Sequence, residues 1–470
     1  MVKIFMKKNL LLPFISSVLT ICLLISCNKQ EQQKQKTIKP PKNVKIIATL
    51  GKEGWKNIPA FCESGANIFR INGSHIKSEE QLKTTLEEVN KAIKSDKCKN
   101  VEVMYDTQGP EIRTIILEKK EDKSDIKKED KSSKKVKNSK KDKNKKKQKQ
   151  DKKQPENNVI FNNPASYEIQ AGDIIIAHTS LQDKEVVYSG DVIRNDKPKT
   201  IHIGVNYAGF IKDVKKDMIL TIENRLIYAK VNETDNEKGL VKMIITEINT
   251  QDGKYLLTDR RHINLIGEPV SLPTLTDNDK KYIKMSALAG VQYYAISFVR
   301  DDNDIKEVKQ LISNTFKENG YNEETIKNKM KNIKVIAKIE TKQGMDNLKK
   351  IVQEAEGAMV ARGDLASEIP MEAVPYAKQE IIKTCNKFGK FSILATDVLK
   401  SMMIAETPSR NDVDVVISSL QIGADSLMLS NETAQSEKGV KSIKEMKKLI
   451  DFHKNWIIKK IEKQQKQNKK

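Results

Sequence analysis

Two short strings carry most of the chemistry in this 470-residue chain. In KVIAKIE, Lys338 and Glu340 lie two apart, so on a strand both side chains face the same way. In GAMVARGDL, Gly363 and Asp364 stand where an apolar run gives way to a helical pattern, and free backbone N–H groups at such a turn suit an anion. Glu340 and Asp364, if carried by neighbouring strands, form a hard oxygen pair for Mg2+ bridging to a substrate phosphate. Arg70, Arg113 and Lys338 supply positive charge for a phosphoryl group in transfer. Asn72, Ser74, Asp106 and Thr107 are a weakly charged oxygen set suited to a monovalent cation. The sum is phosphoryl transfer by positioning and charge neutralisation.

Such residues need elements that hold them at one place. Eight short β-rich runs recur, at 45–51, 67–72, 100–107, 291–299, 334–340, 357–365, 391–398 and 426–433. Amphipathic helical patterns alternate with them, as at 78–94, 302–316, 341–356 and 371–387. Strand–helix alternation argues for parallel βα units, and eight such units make a (β/α)8 TIM barrel. Chemistry in that fold sits at the C-terminal strand ends. Here those ends are polar: Arg70 to His75, Asp106 to Arg113, Lys338 to Glu340, Arg362 to Asp364, Thr396 with Asp397, and Ser430 to Thr433. Any one could be a cap or loop group. Six in phase at one end of one barrel are harder to explain so.

About 180 residues interrupt the rhythm after the third run. Most alternate with period two between turn residues such as Gln251-Asp252-Gly253, which predicts an inserted β lid domain over 116–267. A Lys-rich tract at 118–157 sits at its entrance; from Lys119 to Lys153 there are 18 Lys against 7 acidic residues. The tract and the basic tail at 453–470 account for most of the net charge of +22. Both lack the apolar content needed to offset ordering entropy, which predicts disorder. Neither contains Arg, and Trp456 in the tail is the one Phe, Tyr or Trp in either, which argues against specific nucleic-acid binding. The N-terminus has a basic start, an apolar run over Leu10–Ile25 and then Ser26-Cys27, which predicts a signal peptide with a lipobox at 1–27, lipidated at Cys27. A polar linker at 28–42 and barrel segments at 43–115 and 268–452 complete the division. Cys62, Cys98 and Cys385, widely spaced and without a CxxC pair, predict neither a zinc site nor a disulfide framework.

With those motifs in order, the chain resembles the pyruvate kinase family from about Asn43 to Leu449. DTQGPEIRT, NIFRINGSH, GAMVARGDLASEIP, ILATDVLKSMM and GADSLMLSNETA are each similar to a family signature. The resemblance implies phosphoryl transfer from phosphoenolpyruvate to ADP, giving pyruvate and ATP, with Mg2+ and K+. It implies that Lys338 stabilises the phosphoryl group and that Glu340 and Asp364 bind Mg2+. Asn72, Ser74, Asp106 and Thr107 would bind K+, with Glu111 similar to the residue of K+-dependent members. Arg70, Lys338, Gly363, Asp364 and Thr396 would hold phosphoenolpyruvate, Thr396 near the enolate proton transfer. Arg70, His75 and Arg113 would meet the nucleotide.

Departures stand beside the match. The lid motif DDG reads Glu223-Asn224-Arg225, ATQ reads Ala395-Thr396-Asp397, and TRAE reads Ser409-Arg410-Asn411-Asp412. Asn431 and Ala366 replace glycines, which matters most where φ is positive. The resemblance ends before the family's C-terminal effector domain, which implies no sugar-phosphate allostery and a monomer or dimer rather than a tetramer. The leader points to an outward-facing membrane lipoprotein, against the cytoplasmic location expected of a glycolytic enzyme. A lipid-anchored, catalytically impaired relative is therefore the alternative function.

Overall fold

The computed structural model describes residues 40–116, 166–179, 198–266 and 271–468. The leader with Cys27, the linker up to residue 39 and the Lys-rich tract lie outside the described residues.

Eight parallel strands close into a barrel: β1 Lys45–Leu50, β2 Ile68–Asn72, β3 Glu102–Asp106, β4 Tyr293–Ile296, β5 Lys334–Ile339, β6 Gly357–Ala361, β7 Phe391–Ala395 and β8 Ser426–Leu429. These are the eight runs expected from the sequence. Ile47, Ile68, Met104, Ala295, Ile336, Met359, Ile393 and Met428, one from each strand, fill the barrel interior. Inward parity also fixes the residues beyond them. Two positions past Ile68 comes Arg70, past Met104 comes Asp106, past Ala295 comes Ser297, and past Ile336 come Lys338 and then Glu340. The core pattern thus aims the polar residues inward at the C-terminal rim.

The helices begin where the sequence supplies caps. Thr276, Asp301 and Ser409 each form a capping box with an Asp three residues on. Ser409 and Asp412 come from the divergent TRAE position, so its helix start is retained. The pattern at 341–356 resolves into two short helices, Lys342–Asp346 and Leu348–Glu354, broken at Asn347.

The insertion forms a seven-stranded sheet and a separate two-stranded one around Ile175, Ile203, Val231 and Met243. Its first and last strands, Thr114–Ile116 and Ile263–Leu265, adjoin the barrel. The Ile263 amide donates to the Ile112 carbonyl (2.8 Å), so the two connections to the lid run side by side.

Two expectations are corrected. Cys62, in the helix Ile58–Ser64, is disulfide-bonded to Cys98, in the turn Asp96–Cys98, while Cys385 is a buried thiol. Spacing hid this pair because a strand and a second helix separate residues that end 5.0 Å apart at Cα. The basic tail is not disordered up to Gln467; it continues a 29-residue helix from Gly439. Lys, Glu, Gln and Ile propagate a helix once a nucleus exists, so low apolar content does not prevent extension.

Candidate active site

Lys338 occupies the centre of the rim. Its Nζ lies 2.6 Å from Ser297 Oγ, 3.0 Å from Asp106 Oδ1 and 3.1 Å from Glu340 Oε1. Arg70 reaches the other side of Asp106, Nε to Oδ2 at 2.6 Å, and approaches Thr49 Oγ1 at 3.3 Å. Glu340 Oε2 accepts the Phe298 amide at 2.7 Å. That amide is aimed by strain, because Phe298 has φ 54°, a left-handed value bulky residues avoid. Lys338, Glu340, Asp106 and Arg70 are all at most 9 % exposed.

Burial sets the electrostatics. It would push the Asp106 carboxyl up, but Arg70 and Lys338 outweigh it and hold Asp106 below its ordinary range. Burial also works against the Lys338 charge, yet Asp106 and Glu340 prevail and raise its pKa. Glu340 goes the other way: burial raises it, Lys338 only partly counters, and nearby Asp364 adds to the rise. One carboxylate is therefore fully paired, while the other is short of positive charge.

The remaining predicted residues surround this cluster. Asp364 is partly exposed on the seven-residue helix Arg362–Glu368 that succeeds β6, its Oδ1 3.8 Å from His262 Nδ1 of the lid connection. Gly363 packs on Thr396; a Cβ there would meet Thr396 Cγ2 at 3.2 Å and press the threonine methyl back by a few tenths of an ångström. Thr396 itself has φ 67°, an outlier for a β-branched residue, and Arg362 bonds its carbonyl oxygen and that of Ala395. Asn72 stands opposite Asp106 in the β2–β3 register, with its side chain accepting the Ser74 amide. His75 is exposed in the turn after β2. Arg113 bonds Glu111 Oε2 (2.5 Å) and the Arg260 carbonyl (2.6 Å). Ser297, Phe298, His262 and Glu368 belong to this region and were not singled out from the sequence. A cavity of about 310 Å³ lies beside it, between the two lid connections and the barrel, bordered by Ile112, His262, Asn264, Phe298 and Glu368.

A basic residue between two acidic ones at the mouth of a barrel occurs in many enzymes; the order of the surrounding segments is what discriminates. The family model for the barrel domain of pyruvate kinase matches residues 41–175 and 150–443. The chain belongs to the pyruvate kinase family. A curated pyruvate kinase of Thermotoga maritima is 30% identical over 87% of this chain and 70% of its own length. One from Staphylococcus haemolyticus is 28% identical over 87% of this chain, which spans 56% of that relative. A crystal structure of a pyruvate kinase from Cryptosporidium parvum superposes with a TM-score of 0.66 at 25% identity, covering 87% of this chain and 68% of the other.

Family membership implies Mg2+ and K+, and the residues present can be tested for both. Glu340 Oε1 and Asp106 Oδ1 are buried and lack a hydrogen-bond donor in good geometry, despite their contact with the Lys338 ammonium. Glu340 with Asp364 fits Mg2+ held by two carboxylates and completed by substrate and water. No group of three or more His, Cys, Asp or Glu converges among the described residues. Asp106 with Asn72, Ser74 and Thr107 fits a monovalent cation. The departures are milder than the sequence suggested: neither Asn431 nor Ala366 has positive φ, so replacing glycine strains neither. Glu223, Asn224 and Arg225 do lie in the left-handed region, at φ 53°, 51° and 66°.

Proposed function

We propose that this chain transfers the phosphoryl group of phosphoenolpyruvate to ADP, forming pyruvate and ATP. The observation that carries this reading is the buried Lys338 ammonium between Asp106 and Glu340, 3.0 and 3.1 Å away, at the rim where Gly363 and Thr396 meet. Glu340 and Asp364 would hold Mg2+, which would supply Lewis-acid polarisation of phosphoryl oxygens, and Asn72, Ser74, Asp106 and Thr107 would hold K+, which would add fixed positive charge. Lys338 and Arg70 neutralise charge that spreads over the transferring group. The narrow gap at Gly363 lets substrate approach the backbone. Thr396 would serve near the enolate proton transfer. Arg113 and His75 face the nucleotide when the lid closes and excludes water. The test is 31P NMR of the chain with phosphoenolpyruvate, ADP, Mg2+ and K+. Growth of the ATP β-phosphate signal supports the reading, and an unchanged spectrum with folded protein rejects it.

We further propose that the chain works outside the cytoplasm, anchored by lipid on Cys27. The leader supports this, and so does the Cys62–Cys98 bond, since structural disulfides persist in oxidising compartments. A catalytically impaired, anchored relative is the competing function; the three left-handed lid residues at the DDG position favour it. Mass spectrometry of protein from cells decides the address. A mature chain beginning at acylated Cys27 fits; one retaining Met1 and free Cys62 and Cys98 thiols does not.

A further inference from the structure

Ser297 follows β4 without charge or metal-ligand chemistry, yet it touches both halves of the site. Its Oγ accepts from Lys338 Nζ (2.6 Å) and donates to the Thr107 carbonyl (2.7 Å), while its amide donates to Thr107 Oγ1 (2.9 Å). Both oxygens of Thr107 are therefore held by one residue, and that residue also fixes the ammonium. Ser297 is 1 % exposed and Thr107 is equally buried, so water does not substitute for either bond. The position leaves no slack: Gly109, at φ 75°, lies so close that a Cβ on it would meet Ser297 Cβ at 2.6 Å.

We propose that Ser297 is a positioning residue that couples the potassium set to Lys338. Ser297 Oγ takes one ammonium proton at 2.6 Å, while Asp106 and Glu340 face the charge as ion-pair partners at 3.0 and 3.1 Å. Asp106 is shared with the cation set and Glu340 with the Mg2+ pair, so Ser297 is the neutral member that sets the direction of Nζ. The Ser297 hydroxyl fixes the Thr107 carbonyl through one lone pair and leaves the other for a cation, so one hydroxyl positions both a member of the potassium set and the ammonium. Losing that hydroxyl loosens both together.

This inference rests on the proposed phosphoryl transfer, and its test separates the two. The full chain and its Ser297→Ala variant are compared by thermal melting with phosphoenolpyruvate and Mg2+, in K+ and then in choline at equal ionic strength. Wild type should melt higher in K+, and the variant should lose more than half of that potassium-specific gain. Where turnover is present, its stimulation by K+ over choline should fall about tenfold in the variant, the order expected for one hydrogen bond to a charged group. Ser297→Cys, similar in size with a weak donor, should lie between and guards against a variant that fails to fold. A merely structural role lowers melting and turnover alike in both salts and leaves the potassium ratio intact; that result overturns the proposal. So does a wild type with no potassium-specific gain. A wild type without turnover, whose potassium gain is nevertheless lost in Ser297→Ala, rejects the catalytic reading and upholds the coupling.

Discussion

Replacing Lys338 by Met removes the ammonium while keeping an unbranched side chain, and the consequences divide between two carboxylates. Asp106 retains Arg70 at 2.6 Å and stays ionised. Glu340 retains only the Phe298 amide at 2.7 Å and must either hold an uncompensated buried charge or take up a proton. Orphaning a buried charge costs about 3–5 kcal/mol. Protonation limits this, because Glu340 is already raised in the wild type, so a net loss of about 1–3 kcal/mol is expected at pH 7. The loss also has a definite sign with pH. In the variant the folded pKa of Glu340 rises further above the unfolded value of 4.5, so the folded state binds the extra proton between the two. The variant is closest to wild type near pH 5 and falls behind as pH rises to 8. Turnover should drop by at least ~10³, the scale of losing a preorganised positive group at a transferring phosphoryl. The assays are chemical denaturation at several pH values and pyruvate release. Adding Glu340→Gln to Lys338→Met should restore most of the stability and none of the rate. A variant with unchanged turnover, or with a stability loss independent of pH, refutes the assigned geometry.

Neighbouring features carry further expectations. Burial raises Glu368 from 4.5 to about 7 despite its bond to Asn264, so wild type loses stability as pH rises across that window, by up to about 3 kcal/mol; the melting advantage of Glu368→Gln over wild type should grow between pH 5 and 8, and a constant difference contradicts the burial argument. The Cys62–Cys98 bond closes a loop with a sequence separation of 36, worth about 3–4 kcal/mol; a reductant should lower the melting temperature of wild type but not of Cys62→Ser. Thr396→Asn suits the left-handed φ of 67° better, so it should be more stable, by about 1 kcal/mol, while turning over more slowly; equal melting would show that no strain is held there.

Much of this architecture could be read from the chain because its β-rich runs are separated by strong helical patterns. Ile336, Lys338 and Glu340 keep inward parity, so a core residue announces the two active ones beyond it. The inserted lid was visible as alternation interrupting that rhythm. What escaped was whatever depends on neutral groups or on distant segments. Ser297 sits in the apolar context of YYAISFV and offers only a hydroxyl, and its three bonds exist because β3, β4 and β5 are adjacent in the barrel. The Phe298 amide has no side-chain signature at all. Cys62 and Cys98 looked unrelated because nothing local brings them together; docking of the helix after β1 beside the turn before β3 does. Asn431 and Ala366 looked like damage, but each backbone avoids the left-handed region there, so the lost glycines leave no strain. Glu223 to Arg225 show the opposite case, where divergent residues are held in positive φ.

Whether the Lys338 cluster performs phosphoryl transfer is tested most directly by one assay: pyruvate formation from phosphoenolpyruvate and ADP with Mg2+, measured in K+ and in choline for wild type and Lys338→Met. Wild type should show K+-stimulated turnover, and the variant at least ~10³-fold less. Folded wild-type protein that forms no pyruvate in either salt, or a variant that matches wild type, would contradict the phosphoryl-transfer role.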